Sequence, residues 1–146
     1  MDPKKLYLAQ TDTTVGFLSQ DAKRLAAAKG RPAHKAFIIA VSSAKNLKNF
    51  VRVPKKWRKL VRQARRTTFA YPNGKAVRVV KNSEHRRFLD NFGWMYSTSA
   101  NPSGKNFDEA WARQQADVVV EDKRGFFEGK PSKILRLGRT RVMRLR

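Results

Sequence analysis

Five small polar side chains, Ser97, Thr98, Ser99, Asn101 and Ser103, fall within nine residues that open on Tyr96 and close on Gly104. Hydroxyl and amide groups offer hydrogen bonds without bulk, and a glycine lets backbone N–H groups approach a ligand closely. The run follows Phe92-Gly-Trp-Met-Tyr96, which reads as a short buried strand. It precedes a helix expected from Phe107 to Gln114, with Asn106 as N-cap and Glu109 three residues on. Strand, small polar loop and helix can hold an anion or a nucleotide phosphate. The same composition also makes an ordinary connecting loop, so the rest of the chain has to decide between the two.

A second group stands at Lys29-Gly-Arg-Pro32 with Lys35 close behind, three cations within seven residues. They lie between a helix expected from Ala22 to Lys29, capped by Asp21 and stopped by Gly30, and a buried strand over Ala36–Val41. Lys and Arg on a rigid loop at a strand entrance suit capture of phosphate or carboxylate; by spacing alone a solvated turn fits equally well. A third polar loop, Thr11–Phe17, follows a first strand over Lys5–Ala9.

The chain has 33 Lys and Arg against 11 Asp and Glu, a formal net charge of +22 in 146 residues. The charge is uneven: from Ala22 to Ser83 there is no acidic residue and eighteen are basic. Such a field concentrates polyanions. Within that block a helix is expected over Lys55–Arg66. Trp57, Leu60, Val61 and Ala64 form its core-facing stripe, and Lys55, Lys59, Arg62, Arg65 and Arg66 lie off it. Contact with RNA backbone and a simple solvated face are the two readings. Its apolar surface is too small to favour a membrane.

The remaining elements follow from turn and cap signals. A short helix runs from a Ser42 or Ser43 cap to Phe50. Thr67–Tyr71 and Lys75–Val80 flank Asn73-Gly74 as a hairpin. Ser83 caps a helix to Phe92, with Gly93 as its stop. Ala116–Val120 is a strand, Gly125–Pro131 is irregular, and Ser132–Leu137 with Thr140–Leu145 make a terminal hairpin. Strands and short helices alternate, so the fold class is α/β or α+β with a mixed sheet, in a single domain over 1–146. No run is long and apolar enough for a membrane span or a signal peptide. There is no Cys, and His34 and His85 lack ligand spacing, so each reads as a lone surface histidine and no protein metal site is expected. The Gly-x-x-x-x-Gly-Lys-Ser/Thr pattern is absent, which removes a P-loop.

Taken in order, these loops resemble the YrdC-like family, the threonylcarbamoyl-AMP synthases of tRNA modification. Thr11-Asp12-Thr13 with Gly16 looks like the end of the family's first-strand motif, and Lys29-Gly30-Arg31-Pro32 like its Lys-x-Arg motif. Ala76-Val77-Arg78-Val79 is similar to its Ala-Val-Arg-Val strand. Ser97-Thr98-Ser99-Ala100-Asn101 with Ser103-Gly104 is similar to its Ser-x-x-Asn loop, and Pro131-Ser132-Lys133-Ile134 to a late Pro-Ser-Thr-Ile run. Ala9-Gln10 stands where the family usually has Tyr-Pro, and the helix before Lys29 is short, so the chain resembles a shortened member.

The resemblance implies a twisted, open mixed sheet with a basic concave groove. It implies an enzyme, a nucleotidyltransferase that joins threonine, bicarbonate and ATP and releases pyrophosphate. Lys29 and Arg31 would be catalytic. Lys29, Arg31, Lys35, Ser97, Ser99 and Asn101 would hold ATP and its phosphates, and Thr13, Arg78 and Ser132 the threonine. Mg²⁺ would arrive with ATP. Transfer RNA or double-stranded RNA, and the downstream tRNA threonylcarbamoyl-transferase machinery, are the implied partners, in the cytoplasm. The alternative is a family member reduced in catalysis that binds tRNA or double-stranded RNA through its basic face.

Overall fold

The computed structural model describes residues 1–32 and 34–146. Among these residues nine strands form one sheet: β1 (Tyr7–Gln10), β2 (Val15–Ser19), β3 (Ile38–Val41), β4 (Thr67–Ala70), β5 (Ala76–Val79), β6 (Trp94–Ser99), β7 (Val118–Val120), β8 (Lys133–Leu137) and β9 (Val142–Arg144). Their order across the sheet is β7-β1-β2-β6-β3-β5-β4-β8-β9. The β1/β7, β3/β5 and β4/β8 pairs are parallel and the other five antiparallel, so the sheet is mixed as expected. Among the described residues no helix is long and apolar enough to cross a membrane.

Side chains alternate between the two faces of a strand, so the pairing registers sort them. Phe17 pairs with Thr98, Tyr96 with Ile39, and Ile39 with Val77, which puts one apolar set on a first face. Two clusters cover that face. Helices α1 (Ala22–Lys29) and α5 (Glu109–Gln115) pack on Leu6, Leu8 and Phe17. Helices α2 (Ala44–Leu47) and α3 (Arg58–Gln63) pack on Ile39, Val41, Phe69 and Val77. The second face carries α4 (Ser83–Leu89), whose Phe88 and Leu89 pack on Tyr7, Ala9, Leu18, Ala40 and Met95. With four helices on one face and one on the other, part of the second face stays open. Ser97, Ser99 and Arg78 lie there, because they alternate with Tyr96, Thr98 and Val77 on the first face.

Helix α1 matches its sequence signals. Asp21 accepts from the N–H groups of Lys23 and Arg24, and Gly30 closes the helix in the left-handed region at φ 65°. The β4–β5 hairpin turns at Asn73-Gly74, and β8–β9 forms the terminal hairpin.

Elsewhere the structure corrects the expected boundaries. The loop Thr11–Phe17 is only a turn over residues 11–14, since Val15 to Ser19 form β2, central and buried along its whole length. The strand expected over Phe92–Tyr96 begins at Trp94 and runs on through Ser99, so three of the supposed loop residues are strand residues. Pairing with β2 along all three, and with β3 at Ser97, holds them extended, overriding their turn-forming composition. Helix α5 starts at Glu109, because Asp108 rather than Asn106 accepts from the Trp111 N–H. Helix α4 is capped by Asn82 rather than Ser83 and ends at Leu89. Helix α2 stops at Leu47 instead of reaching Phe50.

The basic helix expected over Lys55–Arg66 is a 3₁₀ turn at Lys55–Trp57 followed by the six-residue α3. Its cations recur at i, i+4, where like charges repel, and Ala64 is already extended at ψ 144°. Leu60, placed on the core stripe, is 36% exposed, whereas Val61 is buried. His85, read as a surface histidine, is 1% exposed.

Candidate functional site

A cavity of about 150 Å³ opens on the second face. Thr11, Thr13 and Thr14 of the β1–β2 turn form one wall, with Gly16 of β2. Ser97 and Ser99 of β6 and Ile38 of β3 lie beside them, and Arg31 with Phe37 closes one end. Arg78, Pro131, Ser132 and Arg146 complete the lining. Close packing requires the glycine at Gly16, since a Cβ there would stand 3.0 Å from both Thr11 Cγ2 and the Thr98 carbonyl oxygen. None of the lining residues is acidic.

Arg78 is 3% exposed. Its Nη1 donates to Thr68 Oγ1 at 3.4 Å and to Ser132 Oγ at 3.3 Å, and those two hydroxyls bond each other at 2.8 Å. Its Nε stands 3.2 Å from Asp12 Oδ1, in an ion pair whose side chains are 4% and 3% exposed. That pair is a charge contact without hydrogen-bond alignment, because both atoms have no hydrogen-bond partner. Arg146 donates from Nε to the Ser132 carbonyl at 2.9 Å and from Nη2 to Ser132 Oγ at 3.0 Å. Burial, and then the neighbouring Arg78, lower the pKa of Arg146 from its ordinary value. Arg31 lies over the Phe37 ring, 4.6 Å from its centroid, and donates to the Ala36 carbonyl at 3.3 Å. Three guanidinium groups therefore meet a set of hydroxyls with one buried carboxylate beneath, an arrangement suited to anions.

Thr13, Arg31, Arg78, Ser97, Ser99 and Ser132 are brought together in this cavity. Asn101 is not among them. It lines an adjoining cavity of about 660 Å³, which shares Thr14, Ser99 and Pro131 with the first. Lys35 is exposed and lines neither. Lys55, Lys59, Arg62, Arg65 and Arg66 lie on or beside α3, all exposed and outside both cavities.

Lys29 departs most from its expected setting. It is the last residue of α1 and is 8% exposed. Its Nζ donates to the Ser99 carbonyl at 2.9 Å, the Asn101 carbonyl at 2.6 Å and Asn101 Oδ1 at 3.4 Å. The ammonium thus ties α1 to the Ser99–Asn101 segment, and Ser103 Oγ returns a bond to the Lys29 carbonyl at 3.0 Å. Burial, and secondarily Arg31, lower the Lys29 pKa to about 8. The unfolded chain holds this proton to higher pH, so between about 8 and 10.5 the group favours the folded state increasingly as pH rises. A loss of anion affinity above pH 8 is therefore expected without loss of fold. ATP titrations at pH 7 and pH 9, with melting curves alongside, should show this in the wild type and not in Lys29→Met.

Two further contributors carry little sequence signal. Asp12 lies inside the Thr11-Asp12-Thr13 motif, where nothing local marks it as the partner of Arg78. Arg146 reaches the site only because the β8–β9 hairpin folds it back onto Ser132. Arg124 braces the same region from outside: it bonds Asp122 and donates to the Gln10 carbonyl at 2.9 Å and the Thr11 carbonyl at 3.0 Å. His85 is held uncharged, its pKa well below the ordinary value through burial and then through Arg78 and Arg124.

The Sua5_yciO_yrdC family (Telomere recombination) matches residues 5–146, and the chain belongs to this family. Among solved structures, P. abyssi Sua5 complexed with L-threonine superposes with a TM-score of 0.81 at 21% identity, over 97% of this chain and 50% of that one. E. coli YciO gives 0.78 at 16% identity, over 98% of this chain and 82% of that one. Full-length HypF in its phosphate- and nucleotide-bound form gives 0.77 at 14% identity, over 97% and 26%. These likenesses show a shared fold. The chain spans about half the length of the Sua5 chains. No curated protein sequence matches it.

Proposed function

We propose that the chain is a threonylcarbamoyl-AMP synthase. The observation that carries this reading is the convergence of Arg31, Arg78 and Arg146 with Ser97, Ser99 and Ser132 in a cavity without acidic lining. The threonine complex of Sua5 and the nucleotide-bound HypF, on the same fold, support it. In this reading Arg78, Ser132 and Thr13 receive the threonine carboxylate, hydroxyl and amine. Arg31, Ser97, Ser99 and, from the adjoining cavity, Asn101 receive the nucleotide. Lys29 is a positioning residue through its bonds to the Ser99–Asn101 segment, and Lys35 adds to the positive field.

The chemistry then asks little acid–base work of the protein. The threonine amine forms a C–N bond to bicarbonate carbon with loss of water, giving a carbamate. A carbamate oxygen attacks the α-phosphorus, the bond to the bridging oxygen breaks, and pyrophosphate leaves. The nucleophile of the second step is already ionised, so the need is for alignment and charge neutralisation, which fixed guanidinium groups provide. Mg²⁺ enters as the substrate complex with ATP. The product would feed the threonylcarbamoyl-transferase machinery acting on tRNA. The test is pyrophosphate release with threonine or bicarbonate omitted in turn. Release that ignores both omissions, or no release at all, rejects the proposal.

The nucleotide half of the site has its own check. Ser99→Ala or Asn101→Ala each removes a neutral hydrogen bond, so ATP affinity should fall by about 0.5–1.5 kcal/mol. Calorimetry showing unchanged affinity in both variants would take this segment out of the site.

One observation favours RNA binding beside or instead of catalysis: the acid-free block presents Lys55, Lys59, Arg62, Arg65 and Arg66 all exposed. If they contact backbone phosphates, affinity falls steeply with salt, each contact adding about 0.7–0.9 to the slope of log K against log salt. Replacing Lys55, Lys59 and Arg62 by Gln should flatten that slope for duplexes of different sequence alike. An unchanged slope excludes this face as the RNA contact.

A further inference from the structure

On the first face, away from the anion cavity, a trough of about 660 Å³ runs between α2, α3 and the end of β5. Its floor is wholly aliphatic: Ala44 and Leu47 of α2, Val51 and Val53 of the connection, Val61 of α3 and Val79 of β5. Its rim is wholly cationic. Lys48 and Arg52 stand on the α2 side, Arg58 and Arg62 on α3, and Lys81 beyond β5. Lys81 Nζ donates to the Arg62 carbonyl and so joins the end of α3 to that of β5. No lining residue is acidic, and the block from Ala22 to Ser83 supplies no carboxylate to neutralise the rim. Burial first, then Arg65, lower the pKa of the Lys81 ammonium from the ordinary value.

Like charges gathered round apolar surface are unfavourable in the free chain unless an opposite charge arrives from outside. The floor narrows the choice of partner. Single-stranded nucleic acid is held by stacking its bases on aromatic side chains, and the trough has no aromatic residue. Phosphate backbone gains nothing from aliphatic surface. Aliphatic side chains do, at about 25 cal/mol per Å² removed from water. We infer that this trough is a docking site for an acidic segment of a partner protein, one that lays aliphatic side chains on the valine floor and sets carboxylates against the two basic flanks. Recognition of a stripe of apolar anchors in a groove is a general mode, and here the flanking charges fix the sign of the partner. The anion cavity lies on the opposite face, so both can be filled at once.

The probe is a fluorescein-labelled amphipathic peptide with Leu at helical spacing and Glu on both sides of the stripe, titrated with the full chain by anisotropy. Saturable binding is expected, lost when the leucines are replaced by Ser at equal charge. Lys48→Glu combined with Arg58→Glu should weaken it at least about tenfold, a change of about 1.4 kcal/mol. Val53→Ser should weaken it with both flanks intact. Both sites are at the trough's surface, and melting curves confirm the fold. A Ser-substituted peptide that binds as well, or duplex RNA that binds the trough in its place and is lost in the same variants, overturns the inference. So does unchanged peptide binding in the folded variants. Arg31→Ala, whose structural ties are slight, should leave peptide binding as in the wild type, which separates this result from the fate of the proposed catalysis.

Discussion

Replacing Arg78 by Met is expected to remove threonine-dependent pyrophosphate release and to destabilise the fold by about 3–5 kcal/mol, because the change leaves Asp12 as a buried, unpaired charge. Both effects come from the same geometry. The Asp12–Arg78 pair at 3.2 Å is almost fully enclosed, and the other end of the guanidinium reaches Thr68 and Ser132 at the cavity wall. Stability and function can be separated by also changing Asp12 to Asn. The double variant has no uncompensated buried charge, so most of the lost melting temperature should return while pyrophosphate release does not. Activity recovering together with stability would mean that Arg78 only supports the fold.

The second large effect is expected at Arg31, with the opposite balance. Arg31→Ala should lower the rate by about 10²–10³-fold, the usual scale for removing a donor aimed at developing charge. Its structural ties are slight: one carbonyl bond at 3.3 Å and the Phe37 ring at 4.6 Å. Such a cation–π contact at a partly exposed site is worth about 0.5–1 kcal/mol, so melting should shift little. A fall in stability that tracks the fall in rate would move Arg31 from ligand binding to structure. Lys29, its neighbour in the motif, should not behave in the same way, because its buried ammonium holds the Ser99–Asn101 segment.

Local chemistry in the chain determined a good deal. Asp21 and Gly30 bound α1 because cap residues act within a turn of the helix they end, and Asn73-Gly74 places the β4–β5 hairpin because its turn preference is local. The mixed α/β class and the acid-free basic block follow from the order of residue types. Resemblance of the ordered motifs singled out Thr13, Arg31, Arg78, Ser97, Ser99 and Ser132, which the fold brings to one cavity. What the tertiary structure decided depends on strands and side chains distant in sequence. Val15–Ser19 is a central strand because β1 and β6 pair with it on both sides, and Ser97–Ser99 extend because β2 pairs with all three. Arg78 meets Ser132 across 54 residues because β5, β4 and β8 lie side by side. Lys29 is spent on carbonyls 70 and 72 residues away because α1 ends against β6. Arg146 turns toward the cavity only through the β8–β9 hairpin, and the valine floor with its basic rim forms only when α2 and α3 settle on β5. Hydrogen bonds and ion pairs of this kind act over a few ångströms, and no periodicity or spacing along the chain records which distant groups will come that close.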